Sequence, residues 1–167
     1  MSARSSRSEA DRPTAALLRG AILVLTGVAL AGTTAELVIT RHWESTVQVL
    51  PFVIVGVAAV ALGLVAAARR ARLVRIARVL SIIVLLAAAF GVWEHIEGNE
   101  HAGALDQRTA ATWETTPALQ RFWLAASGGV GPSPPLAPGV LAQSALMLLA
   151  ATLHHPALDR AEDTERP

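Results

Sequence analysis

Apolar residues fall into four long runs along this chain, separated by polar segments. The runs cover residues 17–39, 47–68, 79–96 and 136–153. A bilayer core about 30 Å thick takes roughly 20 helical residues to cross, and lipid admits only helices or closed barrels because every backbone polar group must be satisfied. The pattern therefore predicts an all-α protein folded as a four-helix transmembrane bundle.

The segment 97–135, between the third and fourth runs, is long enough to hold structure of its own. Within it Thr116-Pro117 is typical of a helix start, and Gly128-Gly129 marks an end. Apolar residues between these points recur at helical spacing, which predicts a short amphipathic helix at the membrane surface. Residues 1–16 and 157–167 are polar and are predicted to be disordered, which leaves 17–156 as the membrane domain.

The distribution of arginine orients the predicted bundle. All 14 basic residues are arginine, and eleven of them lie before or at the very start of the first run, between the second and third, or after the fourth. Cytoplasmic segments carry the excess of arginine, so both termini are predicted to lie inside the cell. The four tryptophans lie at or beyond the run ends predicted to be outside, which agrees with this orientation.

The first run has a second interpretation. Ala29-Leu30-Ala31 before Gly32 resembles the cleavage site of a signal peptide. An uncleaved helix is favoured because apolar residues resume at Leu37 and because the polar segment before the run is long.

Small residues predict how the helices pack. Ala59, Gly63 and Ala67 form a row on the second run, and Ala87 with Gly91 forms one on the third. Such rows let helix backbones approach closely in lipid, so we expect them at contacts within the bundle.

Composition removes several classes of chemistry. Hydrophobic residues make up 53% of the chain, and there is no cysteine, tyrosine or lysine. Disulfides, thiolate metal sites, cysteine nucleophiles and lysine Schiff bases are therefore excluded, and no nucleotide-binding or hydrolase motif is present. We expect a non-enzymatic protein that binds the lipid bilayer and no nucleic acid. Abundant alanine with arginine as the only strong base indicates a GC-rich bacterial source, hence a multi-pass protein of the bacterial cytoplasmic membrane.

Polar side chains gather at one predicted depth near the outer face. Six of them form what we call the polar layer: Glu36, His42, Glu44, His95, Asn99 and Gln143. Carboxylate and imidazole groups suit a divalent transition metal, so the first four are candidate metal ligands. The same groups suit a proton or substrate path. The simplest interpretation is that the loop residues are solvated while Glu36 and Gln143 form hydrogen bonds between helices, since no known ligand spacing is present.

Short motifs at matching positions resemble a group of small bacterial four-helix membrane proteins. They are His42-Trp43-Glu44, His95 with Gly98-Asn99, Leu136-Ala137-Pro138-Gly139, Gln143 and His155-Pro156. The resemblance covers residues from about 35 to 156 and implies the same fold but no activity. It implies that the polar layer is a better candidate site than the acids Glu94 and Glu97, which have no counterpart in that group.

Two functional hypotheses follow. The first is an accessory or interaction subunit of a larger envelope complex, bound to a membrane-protein partner or to a second copy. The alternative is binding or translocation of a transition metal, another cation or a proton through the polar layer at the outer face.

Overall fold

A computed structural model describes the backbone of residues 2–165 and the side chains of residues 13–160. Every regular element in this part of the chain is helical, so the predicted all-α class is confirmed. The α-helices are α1 (Ser2–Ile39), α2 (Thr46–Ala67), α3 (Ala71–Gly103), α4 (Ala118–Ala126), α5 (Gly139–Ala151) and α6 (Pro156–Glu165), with a 3-10 turn at Trp113–Thr115.

Three helices are long and apolar enough to cross a membrane, namely α1 over Pro13–Ile39, α2 and α3. Where a fourth span was predicted over residues 136–153, α5 has only 13 residues. At about 1.5 Å per residue it rises roughly 20 Å, which is less than the thickness of a bilayer core. Even so, α5 packs against all three long helices.

The direction of α5 follows from its contacts with α3. Pro138, just before α5, lies against Gly91, whereas Thr152, just after α5, is hydrogen-bonded to Arg78. The two helices are therefore antiparallel, and the chain returns to the end of the bundle from which α3 started.

The two ends of the bundle carry different residues. We call the end that holds Arg19 and Arg78 the arginine end, and the end that holds Trp43, Trp93 and α4 the tryptophan end. The α2–α3 turn and α6 lie at the arginine end, where the Arg160 guanidinium reaches the Arg69 carbonyl at 3.5 Å.

Small side chains let the helices pack closely. The main core cluster combines alanines with β-branched and leucine side chains, and its buried members are Leu30, Val55, Ala58, Val84, Ala88, Leu141 and Ala145. Three hydroxyl side chains buried between the helices are Thr26, Ser81 and Ser144. Each donates a 2.8 Å hydrogen bond to the carbonyl four residues earlier in its own helix. These three hydroxyl groups are thus satisfied within their own helices and do not bond to one another.

The predicted packing row on α2 is wrong. Ala59, Gly63 and Ala67 are exposed, whereas Ala58 and Ala61 are fully buried. The row was chosen from the spacing of small residues alone, but the buried face of a helix is set by its neighbours, here α3 and α5. On α3, the predicted small residue Gly91 does lie at a close contact, with Pro138 just before α5.

Both terminal segments have helical backbone over their described residues, and the disorder expected of residues 1–16 and 157–167 stays a prediction. The helical backbone of α1 begins at Ser2, and the Ser-, Arg- and Ala-containing stretch before the apolar run is compatible with that because most of these residues tolerate helix well. Near the other terminus, α6 begins at Pro156 and buries Ala157. Residues 1, 166 and 167 lie outside the described part of the chain.

Overpacking tests the core. Replacing Ala145, which is fully buried on α5, with leucine should destabilise the protein by about 1–3 kcal/mol because the added methyl groups have no space. The matched change Ala150→Leu, at an exposed position of the same helix, should shift stability by less than about 0.5 kcal/mol. Thermal unfolding in a neutral detergent measures both, and equal effects would contradict this packing.

Candidate functional site

Residues 104–138 form a cap over the tryptophan end of the bundle, and one buried amide fastens it to α3. Asn99 is fully buried. Its side-chain NH2 donates to the carbonyls of Ser133 at 2.7 Å and Ala125 at 3.2 Å, while its oxygen accepts from the Ser133 N–H at 3.0 Å. Because one side chain holds two points of the cap, Asn99 has a structural role here.

Close approach of the backbone makes this fastening possible. Gly131 has a positive φ of 76°, and a Cβ at that position would collide with Asn99. Gly103, the last residue of α3, lies equally close to the Trp113 ring, which is buried with Ala125 and Val130 in a small core of the cap. Glycine is required at both positions for steric reasons.

The segment after Gly131 then runs back along α3 toward α5. The His95 ring donates through Nδ1 to the Pro134 carbonyl at 2.8 Å, since a carbonyl can only accept. One turn earlier on α3, Gly91 faces Pro138. His95 therefore holds residues 132–138, the proline-rich connector to α5, in place, and Nδ1 is the nitrogen that donates.

The other candidate metal ligands lie on or near the α1–α2 turn. Glu36 is exposed on α1, and His42 is half-buried in the turn. The backbone N–H of Glu44 donates to the Gln48 side chain, which together with Ser45 forms the capping box at the start of α2. The carboxylate of Glu44 is exposed.

These residues do not converge. Within the described side chains no group of three or more His, Asp or Glu lies close enough to hold a metal ion. Gln143 is exposed on α5, where its NH2 group lies 3.9 Å from the Met147 sulfur. The members of the polar layer differ in burial, with Asn99 buried and Glu36, Glu44 and Gln143 exposed, and their common depth and metal binding there stay predictions.

A different set of side chains does come together, in a crevice between α3 and the cap. We call it the interfacial crevice; its volume is about 330 Å³. Three aromatic rings line it, from Trp93, Trp113 and Phe122. The ionisable side chains around it are Glu97, Glu100, His101, Glu114 and Arg121.

Arg121 of α4 is the cation of this crevice. Its Nε lies 3.7 Å from a carboxylate oxygen of Glu100, and its guanidinium carbon lies 6.0 Å from the centre of the Trp113 ring. Nε itself is buried and makes no hydrogen bond among the described residues. Arg121 therefore faces one carboxylate and one aromatic ring, while Glu97 and Glu114 stay exposed.

Sequence reasoning missed the crevice because it expected the third helix to end near residue 96. Instead, α3 passes through Gly98 and ends at Gly103, so Trp93, Glu97 and His101 line up at intervals of one turn. A glycine inside a helix costs about 1 kcal/mol, but Asn99 and the contacts with α4 hold this part of α3 in place. The spacing of these residues was the signal that could have revealed the face.

At the opposite end, two arginines from different helices satisfy the end of α5. Arg19 of α1 donates to the carbonyls of Ala151 and His154, each at 2.9 Å. Arg78 of α3 donates to the Thr152 hydroxyl at 2.8 Å and to its carbonyl at 3.0 Å. The last carbonyls of a helix lack partners and carry partial negative charge, so both arginines are well matched to this place.

His155 then turns the chain into α6. It is buried, with Nε2 3.3 Å from the Val65 carbonyl of α2 and Nδ1 accepting from the Ala157 N–H at 3.2 Å. Burial lowers the pKa of His155; Arg19 and Arg160 lower it further, while the Val65 hydrogen bond and Asp159 oppose the shift. The neutral ring thus fits this site and joins α2 to α6.

In the cap, the Asp106 carboxylate is held by the Arg108 side chain at 2.7 Å. This hydrogen bond lowers the pKa of Asp106 to about 2. Arg108 also donates to the Gly129 carbonyl at 3.2 Å and so ties the first part of the cap to its middle.

Comparisons of the chain with sequence models of protein families, with curated proteins and with solved structures found no match. Its function is therefore inferred from its own residues and geometry.

Removing the Asn99 side chain should loosen the cap and spare the bundle. The change Asn99→Ala deletes three hydrogen bonds and leaves buried backbone groups unpaired, so we expect local opening of the cap to become easier by roughly 2–4 kcal/mol. Hydrogen–deuterium exchange should rise in peptides from 104–138. Gln143→Ala removes an exposed amide of the same bundle and should leave that exchange unchanged; a shared response would contradict the assigned role.

His155 predicts a pH dependence with a definite sign. Because its pKa is lowered in the folded protein, the unfolded chain binds the proton more readily, and stability should fall as the pH drops below the unfolded value of about 6.5. Unfolding in detergent between pH 7.5 and 5.5 measures this. His155→Gln should flatten the profile, whereas His154→Gln, at the exposed neighbouring position, should keep the wild-type slope.

Proposed function

We propose that this chain is an integral membrane protein that acts as an accessory subunit by binding a different membrane protein through α1. Its site would be the exposed face of α1 near the tryptophan end, which holds Val28, Gly32, Ala35, Glu36 and Ile39. The single observation that carries the proposal is Glu36, an exposed carboxylate within a helix otherwise suited to lipid.

Helix α1 is the least enclosed of the three long helices. Only 11% of its most apolar window is buried, compared with 22% in α2 and 28% in α3. Its exposed face contains small residues, and a Cβ added at Gly32 would meet no atom within 4 Å. A partner helix can therefore approach the α1 backbone closely, which is the main source of attraction between helices in lipid.

The charge of Glu36 indicates what the partner must supply. An ionised carboxylate facing lipid costs at least a few kcal/mol, and no ion pair or side-chain hydrogen bond of Glu36 is present among the described residues. A basic or hydrogen-bond-donating side chain on the partner helix, at the depth of Glu36, would remove that cost. The partner's chemistry is thus a transmembrane helix with a donor near one end.

A second copy of this chain fits the site less well. Two parallel copies packed symmetrically by this face would bring one Glu36 against the other, and neighbouring carboxylates disfavour each other's ionised form. The charge therefore favours a different protein as the partner.

Packing inside the bundle supports an interaction role over transport. Thr26, Ser81 and Ser144 are satisfied within their own helices, and the core between them is filled by alanine, valine and leucine. A translocation path needs polar groups that face a shared route. The same reasoning makes an enzymatic role the weaker hypothesis.

The proposal includes a placement in the membrane. We infer that α5 and its proline-rich connector make a fourth crossing, so that both termini lie on the arginine side. That side would face the cytoplasm of a bacterial cell, since arginine-rich segments stay inside. Glu36, the cap and the interfacial crevice would then lie at the outer face, with Trp93 and Trp123 at headgroup level.

Site-specific cross-linking tests the α1 interface, and the absence of cysteine from the chain suits the experiment. A photoactivatable maleimide on Ala35→Cys should, in native membranes, form one product with a partner whose transmembrane helix carries an arginine, lysine or histidine. Adding Glu36→Gln should weaken that product roughly tenfold, because a charge-assisted hydrogen bond is lost. The control is Val60→Cys, on an exposed face of α2.

Three outcomes would overturn the proposal. They are cross-links from Ala35→Cys no stronger than from Val60→Cys, products that contain only copies of this chain, and a product unaffected by Glu36→Gln.

A further inference from the structure

We propose that the interfacial crevice binds an organic ammonium cation. The crevice combines free aromatic faces with carboxylates that lack a counterion, and its volume of about 330 Å³ is that of a small-molecule site. This inference is independent of the α1 interface, because the crevice lies between α3 and the cap.

The aromatic walls supply the first part of the recognition. Trp93 is 56% exposed and Phe122 is 41% exposed, so both rings have surface available to a ligand. Trp113 already has the Arg121 guanidinium near its ring, 6.0 Å from the centre. Aromatic rings attract alkylammonium groups through their negative faces, and several rings around one cation is the recurrent arrangement.

The charges supply the second part. Three glutamates and one arginine line the crevice, so carboxylates outnumber guanidinium groups there by two. Arg121 faces Glu100 at 3.7 Å, whereas Glu97 and Glu114 form no ion pair within the described residues. An incoming cation therefore finds two carboxylates whose charge is not compensated.

Other ligand chemistries fit less well. A metal ion needs several donors at short range, and no three His, Asp or Glu of the described side chains are grouped that way. An anion would meet the excess of carboxylates. A neutral apolar molecule would gain from the rings but nothing from Glu97 and Glu114.

Two sources can supply this ligand chemistry at a membrane surface. One is a soluble organic ammonium ion, and the other is the ammonium headgroup of a lipid such as phosphatidylethanolamine. Exposed apolar residues of α4, Leu119 and Trp123, lie on the helix that forms one wall of the crevice, so a lipid headgroup has a short route to it.

The test uses the full chain in a neutral detergent and two probes. Choline is titrated while tryptophan fluorescence is recorded, since Trp93 and Trp113 line the crevice, and 3,3-dimethylbutan-1-ol serves as the neutral isostere. In the second arm, native mass spectrometry measures retention of added phosphatidylethanolamine relative to phosphatidylglycerol.

We expect saturable binding of choline, or preferential retention of phosphatidylethanolamine, and at least about tenfold weaker binding in the double variant Glu97→Gln, Glu114→Gln. Glu94→Gln is the matched control, because Glu94 is exposed on the same helix but does not line the crevice; it should change binding less than about twofold. If choline binds, a soluble ammonium ion is enough to occupy the crevice. If only phosphatidylethanolamine is retained, the ligand is a lipid headgroup.

Equal binding of choline and its neutral isostere would overturn the proposal. So would binding that survives the double variant, or failure of both probes to bind the wild-type protein. Unfolding temperatures of all variants verify that the exposed substitutions leave the fold intact.

Discussion

The fold depends on satisfying the backbone at the two ends of α5. This helix packs against α1, α2 and α3 and has only 13 residues, and the free carbonyls at its end need partners from elsewhere in the chain. At its C-terminal end, Arg19 and Arg78 reach in from α1 and α3 to bind the free carbonyls. At its start, the Gly139 N–H donates to the Leu136 carbonyl at 2.8 Å, which satisfies one free donor of the first turn. Three of the bundle's helices are thereby tied together at one point.

A different interaction organises the tryptophan end. There the Asn99 side-chain amide fastens the cap, residues 104–138, to α3 by hydrogen bonding to two of its segments. The amide oxygen accepts one hydrogen bond and the NH2 group donates two. An ionised carboxylate could not replace it, because a carboxylate has no hydrogen to donate. The cost of continuing α3 through Gly98 is offset by these contacts, and the extension of α3 in turn provides one wall of the interfacial crevice.

Hydropathy alone located α1, α2 and α3, because the thickness of lipid sets the length of an apolar helix. The Thr116-Pro117 and Gly128-Gly129 signals located α4 to within two residues, although Pro117 takes the cap position while Thr116 bonds back to Thr112. The polar layer was recognised by depth, but depth does not determine direction around a helix. Asn99 therefore proved to be buried, whereas Glu36 and Gln143 are exposed.

Partners far apart in sequence lay beyond such reasoning. Arg19 and Ala151 are separated by 132 positions, and Asn99 and Ser133 by 34, so no local pattern reports either contact. Arginines that composition marks only as cytoplasmic anchors prove to be specific donors at the end of a helix. Besides the unexpected length of α3, distance in sequence also hid the crevice, since Arg121 and Trp113 meet α3 only through the folding of the cap.

Recognition is best sought at the tryptophan end because of how the charges are used. At the arginine end, the side chains of Arg19 and Arg78 donate hydrogen bonds to backbone carbonyls of the same chain, and His155 is buried between α2 and α6. At the opposite end, Glu36, Glu97 and Glu114 are exposed carboxylates without an ion pair among the described residues. In the proposed placement, the Glu36 carboxylate lies within an apolar helix, where an unpaired charge costs free energy, and Glu97 and Glu114 lie at a crevice that also holds aromatic rings. The internal bonds of one end thus leave the other end as the place where something outside the chain can bind.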